Sequence, residues 1–524
     1  MYIYSVDIQI IDMNFRDYNQ KQTVLFPHSF DDLIPSSHPV RVVDQVVEQL
    51  NLQGLIKTYK KEGNPSYHPK MLLKVMLYSY MTNVYSSRKI EQALRENINF
   101  MWLSSMTIVD HNTVNRFRSN KLQESFKEIF KQVVLMLADE GLITLKQIYT
   151  DGTKIEAQAG KYTFVWGKSI ATNKQKMLTQ LEDLWNYAQS VAKDDDHNPE
   201  PPEFIEISKE IIEKTVQQID AKLIGNENAS TKAKAKLNYI KKNFIVNLEK
   251  YKQQQEILGT RNSYSKTDTE ATFMRMKEDH MLNGQLKPGY NQQISTENQI
   301  IVHYTTHQNP TDTKTLKPHL EDFKETFGEE IFKELKEITA DAGYGSEENY
   351  DYLEQSALTA YVKYNTFDKE QDKKYQQKHK PFSKENLYYN QEEDYYVCPM
   401  GQKMLQTHQS KKTTEAGYTQ NTSHYQAQNC NACPLRTQCY KAKGNRSIER
   451  NHNLERHKQK TRELLLSEIG IQKRKQRTAD VEPVFAQLKH NNGFRRFTLK
   501  GIKKVDLEFG LMAIAHNLRK KIAA

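Results

Sequence analysis

The sequence predicts a mixed α/β protein with an all-α N-terminal part, a long helical insertion and a small cysteine-rich insert. Three observations carry this. Apolar residues recur at helical spacing through most of residues 28 to about 140. Two short strand-like runs, LKQIYTD (145–151) and LKEITAD (335–341), each reach an aspartate. Between them lie three amphipathic stripes, and all four cysteines follow, within 398–439.

In the first 140 residues, Val42, Val46, Leu50 and Leu52 form one stripe, MLLKVMLYSY (71–80) a second, and Ile90, Leu94 and Ile98 a third. Asp110 precedes HNTVNRFRSNKL and is placed to cap a helix. That helix presents Arg116 and Arg118, and it reads either as a DNA-recognition helix or as an ordinary solvated face. Residues 1–140 are therefore taken as a helical N-terminal domain and 141–167 as the first part of a catalytic core. In the insertion (168–264), stripes at Met177–Val191, Ile212–Leu223 and Leu237–Tyr251 are broken by DDDHNPEPP and GNENAS. The core resumes over 265–375 with a strand at 299–305, a helix at 316–327 with Pro318 in its first turn, and strands ending near 339 and 362. A cysteine-rich insert (376–450) and a third core segment (451–524) complete the chain.

The formal net charge is +10. Residues 471–524 hold thirteen Lys/Arg against four Asp/Glu, an excess of nine, so nearly all the surplus lies in the last tenth of the chain. A block of this kind that is also built to fold suits a polyanion-facing surface. No apolar run is long enough to span a membrane, and the N-terminal residues lack a basic segment ahead of an apolar one, so a cytosolic protein is expected. P-loop, GxGxxG and GxSxG signatures are absent, which removes support for nucleotide hydrolysis and serine-hydrolase chemistry.

The aspartates that end the two strands, Asp151 in YTDGTKIEA and Asp341 in ADAGYGSEENY, pair naturally with Glu482 in VEPVFAQLKHNNGFRRF. Phosphodiester chemistry is served by two divalent ions that activate a nucleophile and stabilise the leaving oxygen. Mg²⁺ or Mn²⁺ takes oxygen ligands and leaves room for water and phosphate. Gly152 is expected to turn the chain after the first strand, and Pro483 to occupy a first helical turn. Glu482 and Lys489, seven apart, are expected to share a helix face. Taken singly, each acid is an ordinary turn or helix-end residue. Arg495, Arg496 and Lys500, interleaved with Phe494 and Phe497, suit phosphate contact, with the aromatics either wedging beside bases or packing in a core. His516 reads as a packing or hydrogen-bonding histidine, and Glu156 as a strand-surface charge.

These motifs, in this order, resemble DDE transposases of bacterial insertion sequences, the group with an InsH-like helical N-terminal domain. FPHSFDDLIPSSHPVR, YTDGTKIEAQAGKYTFVWGK, EATFMRMKEDHMLNGQLKPGYN, ADAGYGSEENY, VEPVFAQLKHNNGFRRFTLKG and AHNLRK carry the resemblance along nearly the whole chain. It implies a ribonuclease H-like mixed sheet flanked by helices. Asp151, Asp341 and Glu482 would hold two Mg²⁺ (or Mn²⁺) ions, and Lys489 would contact transposon-end DNA. Related transposases place a Tyr seven and an Arg four residues before the Glu. Here Lys475 and Thr478 stand there, with Arg474 and Arg477 one residue upstream, so a DNA-binding role passes to Arg477 only loosely. The expected partners are double-stranded DNA, as terminal inverted repeats and target, and a second copy of the chain. Two alternatives stay open: a catalytically silent DNA-binding relic acting as repressor or architectural protein, and a structure-selective nuclease without a joining step.

Cys398, Cys430, Cys433 and Cys439, spaced C-x31-C-x2-C-x5-C, fit a structural Zn²⁺ that staples a coreless insert, with His408 or His424 as a substitute ligand. Reduced structural thiols are the alternative.

Overall fold

The computed structural model describes residues 29–59, 64–191, 202–223, 229–276, 284–372, 382–414 and 417–524, with residues 20, 21 and 62 besides. The N-terminal residues read for a signal, the breaks at 194–201 and 225–228, and residues 277–283 of the 270–291 motif lie outside the described residues.

The N-terminal part is helical: α1 (Pro39–Gln49), α2 (Gln53–Ile56), α3 (Pro69–Met81), α4 (Ser87–Glu96), α5 (Ile98–Leu103), α6 (His111–Arg116) and α7 (Phe126–Asp139). Local chemistry sets the starts. His38 and His68 each accept a backbone N–H with their ring Nδ1, just ahead of Pro39 and Pro69, where a missing N–H costs nothing. Asp110 accepts from the N–H groups of Asn112 and Thr113, the expected cap. The last turn of this segment, Phe117–Lys121, is π-helical.

The main sheet contains β1 (Gln147–Glu156), β4 (Thr272–Arg275), β5 (Leu286–Glu297), β6 (Ile300–His307), β7 (Glu337–Ala340) and β8 (Thr359–Val362). β6, β5 and β1 are antiparallel, whereas β1, β7 and β8 are parallel. β4 pairs with the first residues of β5. This mixed sheet, with helices packed on it, is compatible with a ribonuclease H-like fold. Seven of the ten β1 residues are buried, as a central strand requires. The expectation that β1 ends at Asp151 is corrected: pairing with β5 continues unbroken to Glu156. Gly152 makes no turn. It is needed for close approach, because a Cβ there would stand 2.7 Å from Asp312 Oδ1 and collide with the amide of Gln293.

A short pair, β2 (Phe164–Trp166) with β3 (Ser263–Ser265), sits at the base of the insertion. Helices α8 (Gly167–Val191), α9 (Lys209–Leu223) and α10 (Thr231–Leu258) pack around their own core, including Leu181, Trp185, Ile219, Ile240 and Phe244. Then come α11 (Leu316–Phe327), α12 (Glu329–Glu334), α13 (Glu347–Gln355) and α14 (Phe367–Glu370). The cysteine-bearing segment forms an antiparallel sheet of β9 (Tyr389–Asn390), β10 (Tyr395–Val397), β11 (Lys403–Thr413), β12 (Thr419–Ala427) and β13 (Ser447–Arg450), with α15 (Arg436–Cys439) between the last two. Tyr396, Met404, Tyr425 and Ile448 give it a small core.

The chain closes with α16 (His452–Leu466), α17 (Glu468–Ala486) and α18 (Ile502–Ala523). Pro483 does not open a helix; it lies in the last turn of α17. Its missing N–H orphans the carbonyl of Ala479 four residues back, and Gln299 Nε2 donates to that oxygen at 2.9 Å. The partner from the β5–β6 turn is what lets the helix run through a proline.

The N-terminal helices have no core of their own. They share one continuous apolar cluster with the main sheet and with α18, which is buried along Leu507–Leu518. Arg118 belongs to this junction, correcting its assignment to a DNA-reading face. It is 3% exposed and donates to the Tyr80 hydroxyl at 3.0 Å and to the Tyr85 carbonyl at 2.9 Å. Tyr80 in turn donates to Glu508 of α18, which also accepts the backbone N–H groups of Thr498 and Leu499.

Candidate active site

Register brings two of the acids together. Thr150 of β1 pairs with Ala340 of β7 in parallel strands, so Asp151 and Asp341, each one residue on, leave neighbouring strands at the same level. Asp151 Oδ1 accepts the Gly152 N–H at 2.8 Å. Asp341 Oδ1 accepts the Gly343 N–H at 2.8 Å, where the chain turns after β7.

α17 runs alongside β1. Lys473 Nζ donates to Gln147 Oε1 at 2.5 Å and pairs with Glu337. Arg477 pairs with Asp151 Oδ2 at 3.2 Å. Lys489 Nζ, just past the helix, donates to the Lys154 carbonyl at 3.0 Å. Glu482 lies nine residues beyond Lys473, about 13 Å along a helix. Asp151 lies four beyond Gln147, about 13 Å along a strand. Glu482 thus lies on the same helix as Arg477, whose guanidinium reaches Asp151. Glu482 is exposed, and no hydrogen bond or ion pair of the described residues engages it.

The electrostatics are those of a site short of positive charge. Burial pushes the Asp341 carboxyl above its ordinary value, and the negative charges of Asp151 and Asp312 add to the push; the Gly343 N–H and Arg477 oppose it. An acid that binds its proton more tightly folded than unfolded costs stability once it ionises. That cost grows as pH rises through the interval above the ordinary aspartate value. At neutral pH without divalent ions, Asp341→Asn is therefore expected to raise the melting temperature. The same substitution should remove the upward shift that Mn²⁺ gives the wild type, since metal binding needs the ionised carboxylate. Thermal melts of both proteins with and without Mn²⁺ check this; an Asn variant that melts lower and still responds to Mn²⁺ contradicts it.

Other expected residues are placed as follows. Lys489 and Glu482 do not share a face, because residues 487–491 form a π-helical turn that shifts the periodicity. Lys489 is 5% exposed while Glu482 faces solvent. Arg477 is occupied by Asp151. Arg116, Arg495, Arg496 and Lys500 are exposed; the Arg496 guanidinium donates to the Ala157 and Ala159 carbonyls, and that of Arg495 to the Lys489 carbonyl. Phe494 and Phe497 are core residues, which leaves no aromatic wedge there. His516 is a hydrogen-bonding histidine whose Nε2 donates to the Gln299 carbonyl at 2.8 Å, and Glu156 pairs with Lys287. Asp312, missed in the sequence, stands at the site. It looks like any acid in a turn, and only the fold shows what it faces.

The four cysteines are free thiols in the small sheet. No three of their sulfurs come within 4.8 Å of one another, and neither His408 nor His424 joins them in such a group. Arg446 stands among them instead, its guanidinium donating to Cys439 Sγ at 2.8 Å and its N–H to Cys430 Sγ at 3.3 Å. The His408 and His424 rings stack on each other, 4.2 Å apart. Asp351, Glu354 and His457 do converge. They are already engaged, His457 bonded to Asp351 at 2.6 Å and Glu354 paired with Arg456 and Lys460, in a network that ties α13 to α16.

Two acids side by side on adjacent parallel strands of a mixed sheet are compatible with a polynucleotidyl-transferring enzyme. Residues 397–522 match the family model described as a transposase DDE domain, and residues 28–120 match a transposase domain (DUF772). Together these two matches support an insertion-sequence DDE transposase. No curated protein matches the sequence. Among the described residues, no helix is long and apolar enough to cross a membrane.

Proposed function

We propose that the protein binds the terminal inverted repeats of its own mobile element, cuts the DNA at their ends and joins the freed ends to target DNA. Support for this comes from the juxtaposition of Asp151 and Asp341 on β1 and β7, with Glu482 on α17, the helix whose Arg477 reaches Asp151. Three carboxylates offer only oxygen donors, and Asp341 is held by burial and like charge in a state that a cation would relieve. That donor chemistry fits Mg²⁺ or Mn²⁺ and not a softer metal. When bound, two such ions supply Lewis-acid stabilisation and a nucleophile active at neutral pH.

The chain's own residues do the rest. Asp151 and Asp341, fixed by strand register and by the Gly152 and Gly343 N–H groups, set where oxygen ligands stand. Arg477 neutralises Asp151 in the metal-free protein and must release it when a cation arrives. Arg495, Arg496 and Lys500 offer cationic groups to phosphates beside Glu482, and Arg116 does so on α6. Two ends must meet for joining, so the working form on DNA is a dimer.

A strand-transfer assay tests the joining step directly. The probe is a pre-cut terminal-repeat duplex bearing a labelled 3′-OH, incubated with supercoiled plasmid and Mg²⁺. Label recovered in plasmid supports the proposal. Plasmid nicking without label incorporation would make the protein a plain nuclease.

A further inference from the structure

The site holds a fourth acid whose side chain is arranged unlike that of a turn former. Asp312 lies in the short 3₁₀ turn Asp312–Lys314 between β6 and α11. An aspartate that merely builds a turn accepts an N–H from its own turn two residues on. Asp312 does not: its own turn is closed by its backbone carbonyl, which accepts from Thr315. Its Oδ1 accepts instead from Asn291 Nδ2 at 2.8 Å and Gln293 Nε2 at 3.1 Å, alternate residues on one face of β5. The buried Tyr344 hydroxyl bonds Gln293 Oε1, which fixes the amide with its nitrogen toward Asp312. Thr313 bonds the Gly343 carbonyl, and Asn349 bonds the Thr313 carbonyl, so the turn is anchored to the loop after β7 and to α13.

One oxygen is thus tied down, and no hydrogen bond or ion pair of the described residues reaches the other, Oδ2. The position a Cβ on Gly343 would take lies 3.0 Å from Asp341 Oδ1 and 3.5 Å from Asp312 Oδ2. The two carboxylates are therefore no more than about 6.5 Å apart, the sum of those two distances. Two ions about 4 Å apart, with ligands at about 2.1 Å, span about 8 Å between outermost oxygens. Glycines at 152 and 343 keep the space between these acids free of side chains.

We propose that Asp312 is a fourth carboxylate of the divalent-metal site, its Oδ1 held by Asn291 and Gln293 and its Oδ2 turned to the cation shared with Asp341. The inference rests on the acidic-site reading above. Mn²⁺ titration of the full chain without DNA, followed by the electron-spin signal of the free ion, tests it in wild type, Asp312→Asn, Asp341→Asn and Asp312→Cys. Asp312→Asn should weaken Mn²⁺ binding about tenfold or more, with no loss of metal-free melting temperature. Asp312→Cys should recover binding for Cd²⁺ but not for Mn²⁺. Wild-type affinity in Asp312→Asn, with binding lost in Asp341→Asn, overturns the inference and leaves the acidic site standing. Wild-type affinity in both overturns the acidic site as well. Loss of Mn²⁺ binding in Asp312→Asn and Asp312→Cys with no gain for Cd²⁺ also overturns it, because Asp312 then acts only through its neighbours.

Discussion

Glu482→Ala is expected to slow metal-dependent end cleavage about a thousandfold, roughly 4 kcal/mol of transition-state stabilisation, while leaving DNA binding and folding unchanged. The expectation is sharp because Glu482 is structurally idle. It is exposed, and no described residue bonds to it, so truncation leaves no unsatisfied partner. The turn that carries it is secured by others: Val481 and Val484 are buried, Asp480 accepts from Thr296 and from the Gln299 N–H, and Gln299 supplies the bond that Pro483 cannot. Single-turnover cleavage of a terminal-repeat duplex, with binding and melting measured alongside, checks it. A variant that cuts at the wild-type rate would take Glu482 out of the site.

Arg118→Ala is expected to cost about 3–5 kcal/mol of folding stability, the usual loss when one member of a buried charged network is removed. Glu508 is fully buried, and Arg118 is the positive charge that reaches it through Tyr80. Without the guanidinium, Glu508 keeps its backbone partners at Thr498 and Leu499 but loses charge compensation, and the Tyr85 carbonyl loses its donor. Arg116→Ala, on the exposed side of α6, should leave stability unchanged. Chemical denaturation of the two variants separates the cases. A stable Arg118→Ala protein that binds DNA poorly would restore Arg118 to a DNA-facing role.

What the sequence made legible follows from how local each signal is. The cap at Asp110, the helix at 316–327 and the short strands before Asp341 and near Val362 depend on neighbours within a few residues, and the structure has them where periodicity and capping put them. The misplacements come from partners remote in sequence. Gly152 reads as a turn until Gln293 and Asp312 are seen packed over it. Pro483 reads as a helix start until Gln299 supplies the missing bond from another strand. Arg118 reads as solvent-facing until Glu508, from the far end of the chain, comes to lie behind Tyr80. A seven-residue spacing puts Glu482 and Lys489 together only on a regular α-helix, and a π-helical turn separates them. Asp312 carries no local signal at all, since what distinguishes it is made by β5 and the loop after β7.

The most direct test of the acidic site is cleavage of a labelled duplex bearing the element's terminal repeat, in Mg²⁺ and in EDTA, by wild type and by Asp341→Ala. Cutting at the 3′ end of the repeat that needs Mg²⁺ and vanishes in the variant is the predicted result. Cutting that survives Asp341→Ala, or that proceeds in EDTA, would contradict a metal site built on β1 and β7.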